Sequence, residues 1–313
     1  MASFNAVVRA FRPRVARAAI KPAKAAFGSN PGALRMLSYA PRRLASGRPL
    51  VVVLHGCGQH AEAFARDSGW RALADMMKFA LLMPEQQASN NPGLCFNWYR
   101  PEDTRRGGGE AMSIRQMLKD SMLRYRSDPK RVFVVGFSAG AAMAGALLAA
   151  YPAVFAGGAV VAGLPVGCAR TPVGAAMRMR RADVWASREM LASDVRAVTK
   201  AVSRKSWPRV SVWAGDDDRT VDPANAEMIA AQWGALHGLD ALPSEEIAHP
   251  RARRRVWARA GKAPAVELWT IAGLGHGFPV SAQSPSVGRG GPWVSECGVS
   301  AVREIAAFWG LRG

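Results

Sequence analysis

Residues Arg131–Ala150 read "RVFVVGFSAGAAMAGALLAA". An apolar run, Val132–Val135, meets a serine set between glycines, and a helix-forming stretch of small residues follows. An unbroken apolar run of this length suits a strand buried on both faces, as in a parallel sheet. "GFSAG" has the G-x-S-x-G pattern of a sharp strand-to-helix turn that lifts one serine hydroxyl clear of the sheet. Such a turn is so tight that its neighbours must be small, and Gly136, Ala139 and Gly140 meet that need. The stretch predicts a strand, a nucleophile elbow at Ser138 and a buried helix.

Working outward, the same strand signal recurs in "PLVVVLHGCGQ" (49–59), "FALLMPEQ" (79–86), "FAGGAVVAGLP" (155–165), "PRVSVWAGDDD" (208–218) and "VELWTIAGLGHGFP" (266–279), with "ALRMLSYAP" (33–41) as a first strand. Helical patterns alternate with them: 61–79, "SIRQMLKDSMLRY" (113–125), "NAEMIAAQWGAL" (225–236) and "VSAVREIAAFWGL" (299–311). Between Ser89 and Glu110 lies a long loop rich in Asn, Pro and Gly. Alternating strands and helices predict an α/β domain with a mainly parallel, doubly wound sheet. The expected organisation is a basic arm over 1–32, one catalytic domain over 33–313, and an insertion over the active site at about 166–206.

In open parallel sheets, chemistry gathers beyond the carboxyl ends of the strands. Four segments end a strand with polar or reactive residues: "LHGCGQ", "GFSAG", "GDDD" and "GLGHG". A serine needs a base. In α/β-hydrolases the order is serine, acid, histidine, so the late His276 is the expected base and His55 reads as structural. The acid lies among Asp216, Asp217, Asp218 and Asp222, with Asp216 and Asp218 favoured by spacing. A tetrahedral intermediate needs two N–H donors. Ala139, after the nucleophile, and Cys57, in the early glycine-rich loop, are the expected pair.

Composition bounds the rest. The chain has 313 residues, 49% hydrophobic, and a formal net charge of +19 from 42 basic and 23 acidic residues. No Asp or Glu precedes Glu62, whereas ten Lys and Arg lie in the first 48 residues, and a second cluster, "RARRR", spans 251–255. Such a field favours anionic partners. The arm reads either as a basic amphipathic segment able to lie on a lipid or granule surface or as a disordered tail, and no specific nucleic-acid partner is expected. Its recurring arginines leave no apolar core for a secretory signal, which points to a cytoplasmic or granule-associated location. No apolar run reaches the roughly 20 residues of a membrane span. Four cysteines without a C-x-x-C pair argue against a zinc ribbon, and the chemistry needs no metal or organic cofactor.

Together, "VVVLHGCGQHAEAF", "PEQ…NN…CFNWY", "DPKRVFVVGFSAGAAMA", "AGLPVGCA", "VWAGDDDRTVDPANAEMIAAQW" and "GLGHGFP" resemble the polyhydroxybutyrate-depolymerase-like esterases, a group that includes feruloyl and acetylxylan esterases. The resemblance spans about 33–313. It implies an α/β-hydrolase fold and a Ser138–His276–Asp218 triad. Gly215, Asp218 and Val221 match the G-x-x-D-x-x-V pattern of the family's acid loop and so favour Asp218 over Asp216. It supports Cys57 as oxyanion donor, implies a Cys57–Cys95 disulfide, and makes Trp98 a substrate platform. Gln59 and Phe278, inside the same motifs, complete the candidate substrate-binding set. The substrate implied is an ester: a polyester oligomer or a plant-cell-wall ester. Ala214 replaces a histidine common in relatives, and Cys297 has no counterpart in the pattern. Many relatives are secreted, and extracellular depolymerases append a linker and a binding domain. From these departures soluble esters, short oligomers or amorphous granules are expected rather than dense crystalline polymer. The rival readings are a peptidase or lipase of the same fold, and a granule- or nucleic-acid-binding protein on a hydrolase scaffold.

Overall fold

A computed structural model describes residues 21–22, 27–199, 207–284 and 290–311. The apolar runs form the strands. The N-terminal half contains β1 (Lys21–Pro22), β2 (Arg35–Tyr39), β3 (Leu50–Leu54), helices α1 (Ala61–Asp67) and α2 (Trp70–Met77), then β4 (Ala80–Glu85). Next come α3 (Pro101–Thr104), α4 (Gly109–Tyr125), β5 (Val132–Phe137), α5 (Ala139–Ala150) and β6 (Gly157–Val161). Helices α6 (Pro172–Arg180) and α7 (Arg188–Thr199) lead to β7 (Arg209–Gly215) and α8 (Ala224–Leu236). The chain closes with β8 (Glu245–His249), β9 (Ala252–Trp257), β10 (Val266–Ile271), β11 (Phe278–Val280), β12 (Val294–Glu296) and α9 (Ala301–Trp309).

One ten-stranded sheet has the order β1-β2-β4-β3-β5-β6-β7-β10-β9-β8. The six strands from β4 to β10 are parallel, and the strands at both edges are antiparallel. Because side chains alternate across a strand, Val52, Val134 and Val212 face a layer of α4, α5, α7 and α8, while Val51, Val135 and Trp213 face α1, α2 and α9. Helix α5 is buried at every position, which its Ala/Gly composition permits by letting it lie close to the sheet.

Several expectations are refined. The single helix expected over 61–79 is two, because Gly69 takes φ 93° between them. Residues 166–199 divide into α7, which joins the sheet-covering layer through Leu191, Ala192 and Val195, and α6, which lies beside the acid-bearing loop after β7. Residues 27–32 are attached to the domain: the Asn30 N–H donates to Gln116 Oε1 at 2.9 Å, and the Gly32 N–H to Ser113 Oγ at 2.8 Å. Most of the basic arm lies outside the described residues. The β8–β9 hairpin carries only a short apolar signal: β8 is an exposed polar edge, and β9 beside it buries Ala252, Val256 and Trp257. The hairpin accounts for "RARRR", three of whose four arginines pair internally: Arg254 with the buried Glu267 at 2.7 Å, Arg253 with Glu246 at 3.8 Å, and Arg255 with Glu227.

Candidate active site

The turn from β5 to α5 holds Ser138 at φ 54° and ψ −120°, a region that non-glycine residues enter only at a cost of roughly 1–3 kcal/mol. The surroundings impose it. The Ser138 N–H donates to Val161 O at the end of β6 at 2.9 Å. A Cβ at Gly140 would lie 2.4 Å from His55 O and 2.5 Å from Leu54 O. The start of α5 is thereby pressed against the end of β3, which brings the elbow and the "HGCG" loop side by side.

His276 lies in the loop after β10. Its Nε2 is 3.0 Å from Ser138 Oγ, and its Nδ1 is 2.7 Å from Asp218 Oδ2. The second carboxylate oxygen of Asp218 accepts the N–H groups of Thr220 at 2.8 Å and Val221 at 2.9 Å. The other aspartates of this loop are occupied elsewhere. Asp216 accepts from the Gly273 N–H at 2.7 Å, Asp217 pairs with Arg219 at the surface, and Asp222 accepts from Ala224 and Ala182 N–H groups. The His276 and Asp218 side chains are both buried. The arrangement can pass a proton from the Ser138 hydroxyl to His276 while Asp218 holds the imidazole tautomer.

The glycine-rich loop after β3 is pinned from three sides. His55 is fully buried, and burial pushes its pKa down. As a neutral ring it donates from Nδ1 to Gly56 O at 2.7 Å and accepts the Gln86 N–H on Nε2 at 3.2 Å, so it is a brace rather than a base. Cys57 and Cys95 form a disulfide with S–S 2.11 Å. Gln59, expected to meet substrate, instead accepts the Gly56 N–H on Oε1 at 2.8 Å and donates from Nε2 to Pro292 O at 3.0 Å. Both ends of its amide are committed to backbone. Among the turn, loop and cap hydrogen bonds of the described residues, none uses the N–H of Cys57 or of Ala139.

Trp98 is half-buried against Ala142, Leu164 and Val221, and it walls a cavity of about 330 Å³ that runs along Ala142 and Ala146 of α5. Phe278 does not reach a substrate surface. It is fully buried, with its ring 5.4 Å from Phe64 and 6.4 Å from Phe137, because β11 turns it inward. Two residues went unforeseen. Trp293 is exposed, and its ring lies 5.9 Å from that of His276; no periodicity marks it in the loop before β12. Glu110, fully buried at the start of α4, accepts the Asn97 N–H at 2.9 Å, the Asn97 side chain at 2.7 Å and Gln86 Nε2 at 2.6 Å. Burial, helped by the Asp103 carboxylate, pushes its pKa up to about 8 against the pull of these donors. This network anchors the loop that presents Trp98. Its signal was the density of amides in "PEQ…NN…CFN", whose partner across the loop could not be read from spacing.

Residues 35–253 match the family model described as Esterase PHB depolymerase. Poly(3-hydroxyalkanoate) depolymerase C of Paucimonas lemoignei is 38% identical over 294 residues, covering 92% of this chain and 69% of that protein. Acetylxylan esterase A of Aspergillus oryzae is 31% identical, covering 81% of this chain and 83% of that protein. Among solved structures, the acetyl xylan esterase from Aspergillus awamori superposes with a TM-score of 0.79 at 24% identity, covering 94% of this chain and 99% of that one. The chain therefore belongs to the esterase PHB depolymerase family of carboxylic ester hydrolases.

Proposed function

We propose that this ester hydrolase is a serine carboxylesterase of the depolymerase type, cleaving polyhydroxyalkanoate-type oligomers and simpler acyl esters through an acyl-enzyme. The observation that carries the mechanism is the continuous contact from Ser138 Oγ through His276 to Asp218, 3.0 and 2.7 Å. Ser138 attacks the ester carbonyl as His276 Nε2 takes its proton. The N–H groups of Cys57 and Ala139 hold the oxyanion; a donor in this role is typically worth about 10²–10³ in kcat. The alcohol leaves with the proton from His276, and the acyl group stays on Ser138. Water then gives a proton to His276 and attacks the acyl-enzyme, and His276 returns that proton to Ser138 Oγ as the acyl bond breaks, freeing the acid and the enzyme.

The 38% identity to a poly(3-hydroxyalkanoate) depolymerase over nearly the whole chain supports the polyester reading. Acetylxylan and feruloyl esterases at 31% and 28% identity support a second: hydrolysis of acetylated xylan or feruloyl esters. The test combines fluorophosphonate labelling with rates on hydroxybutyrate oligomers, feruloyl esters and acetylated xylan. Labelling lost in Ser138→Ala, with the oligomers as best substrates, is the expected result. Retained labelling would overturn the nucleophile, and preference for acetylated xylan would overturn the substrate class.

A further inference from the structure

Exposed apolar side chains scattered singly over a protein surface need no partner. Here they cluster. Of the nine large exposed hydrophobics among the described residues, five lie between positions 173 and 190: Val173, Met177, Val184, Trp185 and Met190. Trp185 is 88% exposed, Val173 71% and Met177 67%, so these are not rim atoms of the core. They stand on α6, on the segment between α6 and α7, and on the first turn of α7.

The segment borders the active site. Strands β5, β6 and β7 are parallel, so the chain leaving β6 toward α6 emerges at the sheet edge that carries Ser138 and the acid loop. Helix α6 is tied to that loop. The Asp222 N–H donates to Met179 O at 2.7 Å, the Ala182 N–H to Asp222 Oδ2 at 2.8 Å, and Asn225 Nδ2 to Arg178 O at 3.0 Å. Met179 packs with Val221, three residues after Asp218. Beside His276 stands the other exposed aromatic, Trp293. Apolar surface therefore lies both on the Asp218 side of the triad and against the His276 ring.

Its polar chemistry narrows the occupant. Arg180 and Arg181 are exposed and make no ion pair among the described residues, while Asp183, one of two acids between 172 and 190, is taken by Arg178 at 2.6 Å. The patch thus offers apolar area and N–H donors with few free acceptors. An aliphatic polyester is the complement: methyl and methylene surface, with carbonyl acceptors and no donors along its chain. A polysaccharide, rich in hydroxyl donors, is not.

We propose that α6 and the segment through Met190 form a docking surface for condensed aliphatic polyester, which holds the enzyme on the polymer with the Ser138 site facing it. The proposal rests on the polyester reading of the substrate. The test compares wild type with Val173→Ser/Met177→Ser/Trp185→Ser, and with Leu123→Ser, an equally exposed apolar residue on α4, as control. Adsorption to amorphous poly(3-hydroxybutyrate) film and film hydrolysis are measured beside kcat/KM for soluble p-nitrophenyl butyrate and hydroxybutyrate oligomers. The triple variant is expected to lose tenfold or more on film while staying within twofold on soluble esters, with Leu123→Ser unchanged. Film adsorption retained by the triple variant, or lost equally by Leu123→Ser, overturns the proposal. So does wild-type binding to phosphatidylglycerol vesicles in preference to film, or wild-type self-association that the triple variant abolishes. Wild type that cleaves the soluble oligomers without adsorbing to film refutes docking alone, whereas failure on oligomers and film together with activity on p-nitrophenyl butyrate refutes the polyester reading beneath it.

Discussion

Replacing Asp218 with asparagine tests the site more sharply than deleting the nucleophile does, because the structure dictates which way the new amide must point. Asp218 Oδ1 accepts two backbone N–H groups, from Thr220 and Val221, at 2.8 and 2.9 Å. An asparagine must keep its oxygen there, since turning its NH2 toward two donors would leave three buried donors facing one another. The NH2 then faces His276 Nδ1, where Oδ2 now sits at 2.7 Å. The histidine must accept on Nδ1 and carry its proton on Nε2, 3.0 Å from Ser138 Oγ. In that tautomer it cannot take the serine proton. The same change in a Ser-His-Asp triad lowers kcat by about 10⁴-fold, with geometry intact, which corresponds to about 5.4 kcal/mol of transition-state stabilisation. Asp216→Asn should instead stay within about threefold, because an asparagine oxygen can still accept the Gly273 N–H as Asp216 Oδ1 does and only one neutral-acceptor bond is weakened. The assay is p-nitrophenyl butyrate turnover, with thermal melting to verify the fold. A loss below tenfold in Asp218→Asn, or an equal loss in Asp216→Asn, refutes the reasoning.

Further outcomes follow from the same contacts. Ser138→Gly should abolish turnover yet raise the melting temperature, because glycine relieves a backbone held at φ 54° worth roughly 1–3 kcal/mol; an unchanged or lower midpoint would remove the strain argument. Gly140→Ala should reduce both stability and activity, since its Cβ would meet backbone oxygens at 2.4 and 2.5 Å, and a wild-type melting curve would contradict this. Cys57→Ala/Cys95→Ala opens a loop spanning a separation of 38 residues, which chain-entropy reasoning values at about 4 kcal/mol; urea denaturation with and without reductant measures it. For Glu110, the folded pKa near 8 lies above the ordinary 4.5, so the native state binds the extra proton. Its contribution to stability is present below about pH 4.5 and is lost as pH rises to about 8, at about 1.36 kcal/mol per pKa unit. Glu110→Gln should flatten that slope while destabilising generally, because its NH2 meets the Asn97 donors. A slope identical to wild type between pH 5 and 9 would exclude Glu110 as its source.

Some of the site was legible because its signals are local. Unbroken apolar runs mark strands buried on two faces, and the observed parallel core of β4, β3, β5, β6, β7 and β10 is built from those runs. A nucleophile elbow needs small residues at fixed offsets, so "GFSAG" located Ser138 before any contact was known. "GLGHG" marked His276 in the same way, as a histidine on a glycine turn past a strand. Where a signal mixed local and distant requirements, reading by position misled. Gln59 and Phe278 sit inside conspicuous motifs, yet one is consumed in bracing backbone and the other is turned into the core by β11. The β8–β9 hairpin escaped because its edge strand β8 has no hydrophobic period to read and β9 buries only Ala252, Val256 and Trp257 around an Arg run.

What the chain by itself determined is therefore the α/β plan, the serine on its strained turn, the order of serine, acid and histidine, and the glycine-rich loop that must lie nearby. The strands and the serine turn follow from chemistry within a few residues of chain, where covalent geometry limits the alternatives, whereas the order of serine, acid and histidine follows from the α/β-hydrolase pattern. What only the tertiary structure decided is the contact of Asp218 with His276, which the family resemblance had implied and spacing alone had left open, that Glu110 anchors the Trp98 loop, and that Trp293 and the α6 surface stand exposed around the site. These depend on pairs such as Asp218 and His276, 58 residues apart, or Gly140 and His55, brought together by strands β3 and β5. Spacing along the chain carries no information about such pairs until the sheet has placed them.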